Sequence, residues 1–400
     1  MRRDDAPSGD ERTAPLVRPP RLRTSEERTA SRLELFFDLA YVLVIAELVS
    51  VYSKNLGWDG AVTFVGLFAV TWWSWVTVTL YANRFDTNDV IYRLAKLGGT
   101  LAVLGMAASA TEATGIRAGT FAACYLTTRI LLLALYARAY RHVAQARATI
   151  VIYLGGTGAA VLLWGTSLAI AGSGRYLLWA IGILVEALAP LVATRFGGGV
   201  PLHLDHLPER FGLLVILVLG ESVASVVVGV HDTNWKLPSV LVGLICFVAV
   251  AALWWTYFDL GGAAGKRRLV ADGEDQESGI ADAYIYGHMP LTLGLATLAV
   301  GIEHVILHPD GVPPAAARWA VHGGAALFLV GIAAIVAGTS GRWRAAWPWP
   351  IVAAPFVLVA GVPDALPPAA GIGTVAVVLV LTVLTGIREQ RRGRLETTET

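Results

Sequence analysis

Twelve apolar runs of about 20 residues, bounded by glycine, proline or charge, take up most of this 400-residue sequence. That is the length an α-helix needs to cross the ~30 Å hydrocarbon core of a bilayer. In lipid, the backbone polar groups leave only helices and closed barrels as spanning structures. The runs lie at about 33–54, 60–82, 94–113, 118–138, 149–171, 176–194, 211–230, 238–260, 281–307, 315–338, 345–363 and 366–387. The chain therefore reads as all-α, a polytopic membrane helical bundle of about 12 transmembrane helices. Its 15% charged residues fall below the roughly one quarter of a soluble domain. Soluble enzymes, nucleic-acid binders and secreted disulfide scaffolds are set aside, and the net charge of +1 implies no polyanionic partner such as a nucleic acid. Cys124 and Cys246 both sit inside apolar runs and suggest neither a metal site nor a disulfide.

The eleventh run, 345–363, is interrupted by Pro348, Pro350, Pro355 and Pro363, each of which removes an amide donor. Whether it crosses fully is left open by pattern alone, so the Lys/Arg distribution serves as a check. The arm before the first run and the following even-numbered gaps hold 25 Lys and Arg, Arg84, Lys96 and Arg210 among them, against 5 in the alternate gaps. Twelve spans with both termini in the cytoplasm is the arrangement this asymmetry predicts. The arm 1–32 lacks a short apolar core with a cleavage site and reads as a disordered cytoplasmic extension. Residues 388–400 read as a cytoplasmic tail.

A shift of 174 residues lays Leu33, Phe37, Leu39 and Glu47 on Leu207, Phe211, Leu213 and Glu221. With a growing offset, Trp72-Trp73-Ser74-Trp75 meets Trp254-Trp255-Thr256-Tyr257, and Tyr92, Lys96, Thr100 and Leu101 meet Tyr284, His288, Thr292 and Leu293. This predicts a 6+6 internal repeat, with one six-helix half at 33–204 and the other at 205–387. An even number of spans per half relates the copies by an axis along the membrane normal, as in transporters that bind substrate between their halves.

Three separated motifs carry a family resemblance. Leu33-Glu34-Leu35-Phe36-Phe37-Asp38-Leu39, then Glu209-Arg210-Phe211-Gly212 continuing to Leu219-Gly220-Glu221-Ser222, then Gly287-His288-Met289-Pro290-Leu291 together resemble the bacterial low temperature requirement A (LtrA) family. One departure is Ala40-Tyr41, where the family more often carries Val-Phe. The resemblance implies a multi-pass protein of the bacterial cytoplasmic (inner) membrane and no agreed biochemical activity.

An ionisable group in the hydrocarbon region costs a few kcal/mol or more unless a cavity or a partner receives it. Glu34 and Asp38, four residues apart, share one face of the first helix. They could hold a cation or share a proton, or simply complement the helix dipole and pair with Arg32 or a neighbouring loop. Glu47 lies on another face, and its repeat mate Glu221 follows ten apolar residues. If the halves meet around a central axis, these two acids converge as a proton or cation site; the alternative is a pair of protonated acids joining helices. His288 could act as a relay or as a neutral hydrogen-bonding residue, with Pro290 opening the helix beside it. Glu303 and His304 would mark an outer vestibule. Arg129 needs a carboxylate, and Glu112 and Glu186 both qualify.

Gly261-Gly262-Ala263-Ala264-Gly265-Lys266 is one residue short of a P-loop and lacks the following Ser/Thr. His203-Leu204-Asp205-His206 has no partner motif for a metal. No cofactor motif and no catalytic residue is read from the chain, and the tryptophans toward span ends, Trp72, Trp73 and Trp75 among them, read as interfacial anchors. The leading functional expectation is secondary transport or permeation of a small solute or ion, linked to protonation of Glu221 and Glu47 with His288 assisting. The alternatives are an intramembrane enzyme acting on lipids and a structural or sensory protein of the lipid bilayer.

Overall fold

Ser31 starts the first helix: its hydroxyl accepts the Glu34 amide while the Glu34 carboxylate accepts the Ser31 amide, closing two donors that a helix start leaves open. The computed structural model describes residues 16–23, 31–197, 202, 206–261, 277–340, 349–364 and 366–398. Within them run α1 (Arg32–Lys54), α2 (Trp58–Arg84), α3 (Val90–Ser109), α4 (Ala118–His142), α5 (Arg147–Ser167), α6 (Ser173–Phe196), α7 (His206–Asp232), α8 (Leu237–Trp255), α9 (Glu277–Leu307), α10 (Ala315–Ser340), α11 (Trp349–Ala360) and α12 (Pro368–Thr398). All but α11 are long and apolar enough to cross a membrane. A π-helical turn, Thr256–Gly261, extends α8, and α9 runs through Pro290 as a helix.

The expected eleventh span takes a different form. Its helix has 12 residues, about 18 Å of rise against a ~30 Å core. Pro350 sits in its first turn, where proline is tolerated, and Pro363 follows its end. Arg318 at the start of α10 donates to the Gly361 carbonyl at 2.9 Å, and His322 bonds the Val357 carbonyl at 3.0 Å. The end of α11 is thereby fixed beside the start of α10, so the chain returns between 340 and 361 to the face from which α10 began. The start of α1 and the end of α12 share the opposite face. Arg210 at the start of α7 bonds Asp38 of α1, Gly212 lies against Phe258 beyond α8, and Gln390 of α12 bonds the neighbouring Asp259 carbonyl. We call this face proximal and the other distal.

Helix pairing has the same order in both halves of the chain. α1 packs on α2 and α3, α3 on α4, α4 on α5, α5 on α6, and α6 returns to α2; α7 packs on α8 and α9, α9 on α10, α10 on α11, α11 on α12, and α12 returns to α8. The halves meet where α1, α2 and α6 rest on α7 and α9. In α9 and α10, the most buried of the long helices, glycines recur every seventh residue at 287, 294 and 301 and at 324, 331 and 338. A side-chain carbon on Gly294 would stand 2.5 Å from the Gly324 carbonyl oxygen and the Phe328 amide nitrogen. Lipid gives helices no hydrophobic reason to associate, so backbone approach through small residues supplies the contact instead.

The arm expected to be disordered is ordered at Leu16–Arg23. Arg21 and Leu22 pair antiparallel with Asp86 and Phe85, where the α2–α3 connection leaves backbone groups open to a partner strand. Asp89 clamps this strap. It caps α3 through the Tyr92 amide, accepts the Arg18 amide at 3.2 Å and receives both terminal nitrogens of Arg138 at 3.1 and 2.6 Å. At the other end the expected tail is helical to Thr398, as a continuation of α12. The rejected P-loop segment from Gly262 onward and residues 203–205 lie outside the described residues.

Two outcomes follow. Gly324→Ala lowers the thermal midpoint in detergent by an overpacking cost of about 1–3 kcal/mol, whereas Gly323→Ala, whose added carbon meets nothing within 4 Å, leaves it unchanged; equal midpoints would refute the glycine seam. Burial alone would push the Asp89 carboxyl up, but hydrogen bonds from Arg138 and from the Tyr92 and Arg18 amides outweigh it and hold the group below its ordinary 3.8. A depressed folded value contributes stability that is present above the ordinary value and lost as pH falls through the folded one, so the clamp is intact at neutral pH. Asp89→Asn keeps the cap but loses the ion pair, and trypsin at neutral pH then cleaves after Arg21 and Arg23 about tenfold faster. Unchanged cleavage would show that the strand pairing alone holds the strap.

Candidate functional site

Two turns into α1, Asp38 is buried and faces α7 across the boundary between the halves. Arg210 grips it with both terminal nitrogens at 2.9 Å, and the Trp75 indole of α2 donates to the same carboxylate at 2.9 Å. A bidentate guanidinium pair of this kind fixes orientation as well as charge. Glu34, one turn earlier on the same face, is also buried and lies in the fields of Arg210, Lys96 and His206. Lys96 comes from α3. Its ammonium sits 3.8 Å above the Phe37 ring and, among the described residues, finds no hydrogen-bond partner. Two acids and two cations from α1, α3 and α7 thus form a buried cluster near the proximal face. Asp38 is matched by Arg210 rather than by Arg32, and Glu34, which closes the helix cap, lies in the field of the same Arg210.

A second polar layer lies deeper in the first half. Arg129 of α4, fully buried, bonds Thr77 at 2.6 Å and the Ser74 carbonyl and hydroxyl at 3.2 and 2.9 Å. Its carboxylate is Glu186 of α6 at 3.5 Å, itself bonded by the Tyr125 hydroxyl at 2.6 Å. This decides between the two partners the sequence offered, because Glu112 pairs instead with Arg117 at 2.7 Å. Ser74 also bonds Tyr41 at 2.9 Å. Since Tyr41 is one turn from Asp38 and Ser74 is adjacent to Trp75, the two layers lie next to each other along α1 and α2.

His288 is wholly buried, and both ring nitrogens are engaged. Nδ1 faces the Tyr284 carbonyl at 2.6 Å and Nε2 the Tyr257 hydroxyl at 2.9 Å. A carbonyl only accepts, so Nδ1 carries a proton and donates to it, while Nε2 and the Tyr257 hydroxyl share a hydrogen bond in which either atom can be the donor. Its place mirrors that of Lys96. Lys96 lies on Phe37, His288 lies 4.6 Å from Phe211, and Thr100 and Thr292 bond the carbonyls of Lys96 and His288 at 2.9 and 2.7 Å.

Toward the distal face the same helices carry three acids. Glu221 of α7 is half-buried, within electrostatic reach of Glu303 of α9 and Glu47 of α1, and Ser53 of α1 donates to Glu303 at 2.7 Å. Glu47 is exposed, Glu221 and Glu303 are half-buried, and His288 lies apart from all three, beside Phe211 in the proximal half.

The three sequence motifs therefore meet in space: Asp38 from the first, Arg210 and Phe211 from the second, His288 from the third. Residues 29–384 match the family described as bacterial low temperature requirement A protein (LtrA). The chain belongs to the LtrA family. It is similar to an uncharacterized protein of Rhizobium meliloti (strain 1021), 28% identical over 333 residues that cover 78% of each chain. No solved structure matches it. Within this LtrA chain, sequence reasoning missed Arg210, Lys96 and Trp75 as site residues. Arg210 and Lys96, like Arg84, were counted as cations of the gaps, yet all three are buried. Trp72, Trp73 and Trp75 are buried as well, whereas an interfacial anchor keeps its polar edge wet. The available signal was Arg210 lying inside a family motif directly before an apolar run.

Asp38→Asn leaves the Arg210 guanidinium buried without a counter-charge. The expected loss is about 3–5 kcal/mol, read as a lowered thermal midpoint in detergent. A loss below about 1 kcal/mol would mean that water already reaches the pair.

Proposed function

We propose that this LtrA protein is a secondary transporter or permeation pathway for a small solute or ion, with proton-linked carboxylates inside the membrane. The observation that carries the reading is that one seam, α1 against α7 and α9, bears ionisable side chains along both parts of its length. Asp38–Arg210 lies toward the proximal face, and Glu47, Glu221 and Glu303 lie toward the distal face. Each such group is costly in a bilayer, and a seam between two halves is where rocking transporters place their path. In this reading the Asp38–Arg210 pair closes the proximal end, Glu221 exchanges a proton beside Glu47 and Glu303 at the other, and His288 holds α8 to α9 next to the closed end. Two six-helix repeats, 33–204 and 205–387, would rock about the seam; the recurrent helix pairing and the matched Lys96–Phe37 and His288–Phe211 contacts support that division. The Lys/Arg asymmetry supports a proximal face in the cytoplasm of a bacterial inner membrane.

The test is flux in proteoliposomes across a panel of monovalent cations, amino acids and small organic acids under an imposed pH gradient. Wild-type protein is expected to move at least one of them in a gradient-dependent way, and Glu221→Gln to stay folded while losing about tenfold or more of the rate together with its pH dependence. No wild-type flux across the panel, or a Glu221→Gln variant indistinguishable from wild type, would count against the proposal.

A further inference from the structure

Two hollows adjoin at the proximal start of α1. The first, about 670 Å³, is polar and lined by Arg23, Ser31, Arg32, Glu34, Asp86 and Arg93 among others. The second, about 330 Å³, is a groove between α1 and α7 with Leu35, Leu39, Leu213 and Ile216 on its walls and Asp38 beneath. They share Arg32 and Phe36. Phe36, Leu39 and Ile216 are about half exposed, so in a membrane this groove opens sideways onto acyl chains.

We propose that the joined hollows bind one anionic phospholipid, its phosphate held by Arg32 and Arg93 and one acyl chain laid along the α1/α7 groove. Three arginines line the polar hollow against two carboxylates, and Glu34 is already engaged by its cap and by the fields of Arg210 and Lys96. The surplus cationic charge is presented where a headgroup sits, and guanidinium groups match phosphate oxygens in a planar, two-toothed fashion. A free anion would have no use for the apolar groove, whereas a diacyl lipid fits both parts. A chain seated there covers the membrane side of Asp38 and keeps the ion pair with Arg210 dry, where its attraction is strongest. This site is independent of whether the protein transports anything.

The experiment is native mass spectrometry of the full chain released from nanodiscs of equal parts phosphatidylglycerol and phosphatidylcholine. One phosphatidylglycerol is expected to stay bound in preference, and the doubly substituted Arg32→Gln, Arg93→Gln protein to lose that preference by about tenfold or more. Both arginines are exposed, so the variant's thermal midpoint without lipid should equal wild type. Leu39→Trp, which fills the groove and leaves the arginines, should weaken retention of long-chain phosphatidylglycerol as well. Equal retention of the two lipids, unchanged retention in both variants, or displacement of the lipid by soluble glycerol phosphate at comparable concentration would overturn the proposal.

Discussion

A carboxylate and a guanidinium buried against each other across the middle of a membrane protein set the terms for everything around them. Taking such groups out of water costs several kcal/mol each even after relaxation, so their surroundings must return that energy through geometry. Asp38 and Arg210 meet this demand with two parallel 2.9 Å bonds and the Trp75 indole. Glu34 and Lys96 lie beside them, each in the other's field. α1, α3 and α7 are consequently tied at one level, and the first half of the chain is joined to the second through this charge pair as well as through packed apolar surface, Trp73 on Tyr286 and Trp75 on Phe211 among it.

That join contrasts with the hairpin of α9 and α10. There the backbones touch through glycines spaced by seven residues, and the interface leaves no room for a methyl group at Gly294 or Gly324. Such a hairpin moves as one piece. Between α1 and α7 the walls are a groove of half-exposed side chains and one ion pair, with Trp75 of α2 edge-on to Phe211 at 5.1 Å beside them. If the bundle has a place to part, these contacts are fewer to break than the glycine seam, which is why the transport proposal puts its gate there.

The sequence disclosed the class of fold almost completely, because the length and apolarity of a spanning helix are set by the bilayer and need no tertiary information. The family followed from three short motifs. What stayed hidden was pairing. Arg210 and Lys96 looked like loop cations because they stand within a turn or two of span starts, and only the approach of α1 shows that they point inward. Arg129 announced that it needed an acid, but Glu112 and Glu186 differ in three-dimensional position and not in kind. The glycine spacing in α9 and α10 was visible yet inconspicuous among 42 glycines, and the strap at Arg21–Leu22 depends on a two-residue partner with no strand signature of its own.

Whether the Asp38–Arg210 pair works or merely braces is decided most directly by replacing both members with apolar residues of similar volume, Asp38→Leu together with Arg210→Met. Removing a buried ion pair as a unit is often neutral or stabilising, so the doubly substituted chain should fold with a thermal midpoint at or above that of wild type. A gating role predicts that this well-folded protein carries no gradient-dependent flux in proteoliposomes. Flux at the wild-type rate from the same protein would contradict it and leave the pair as a structural brace.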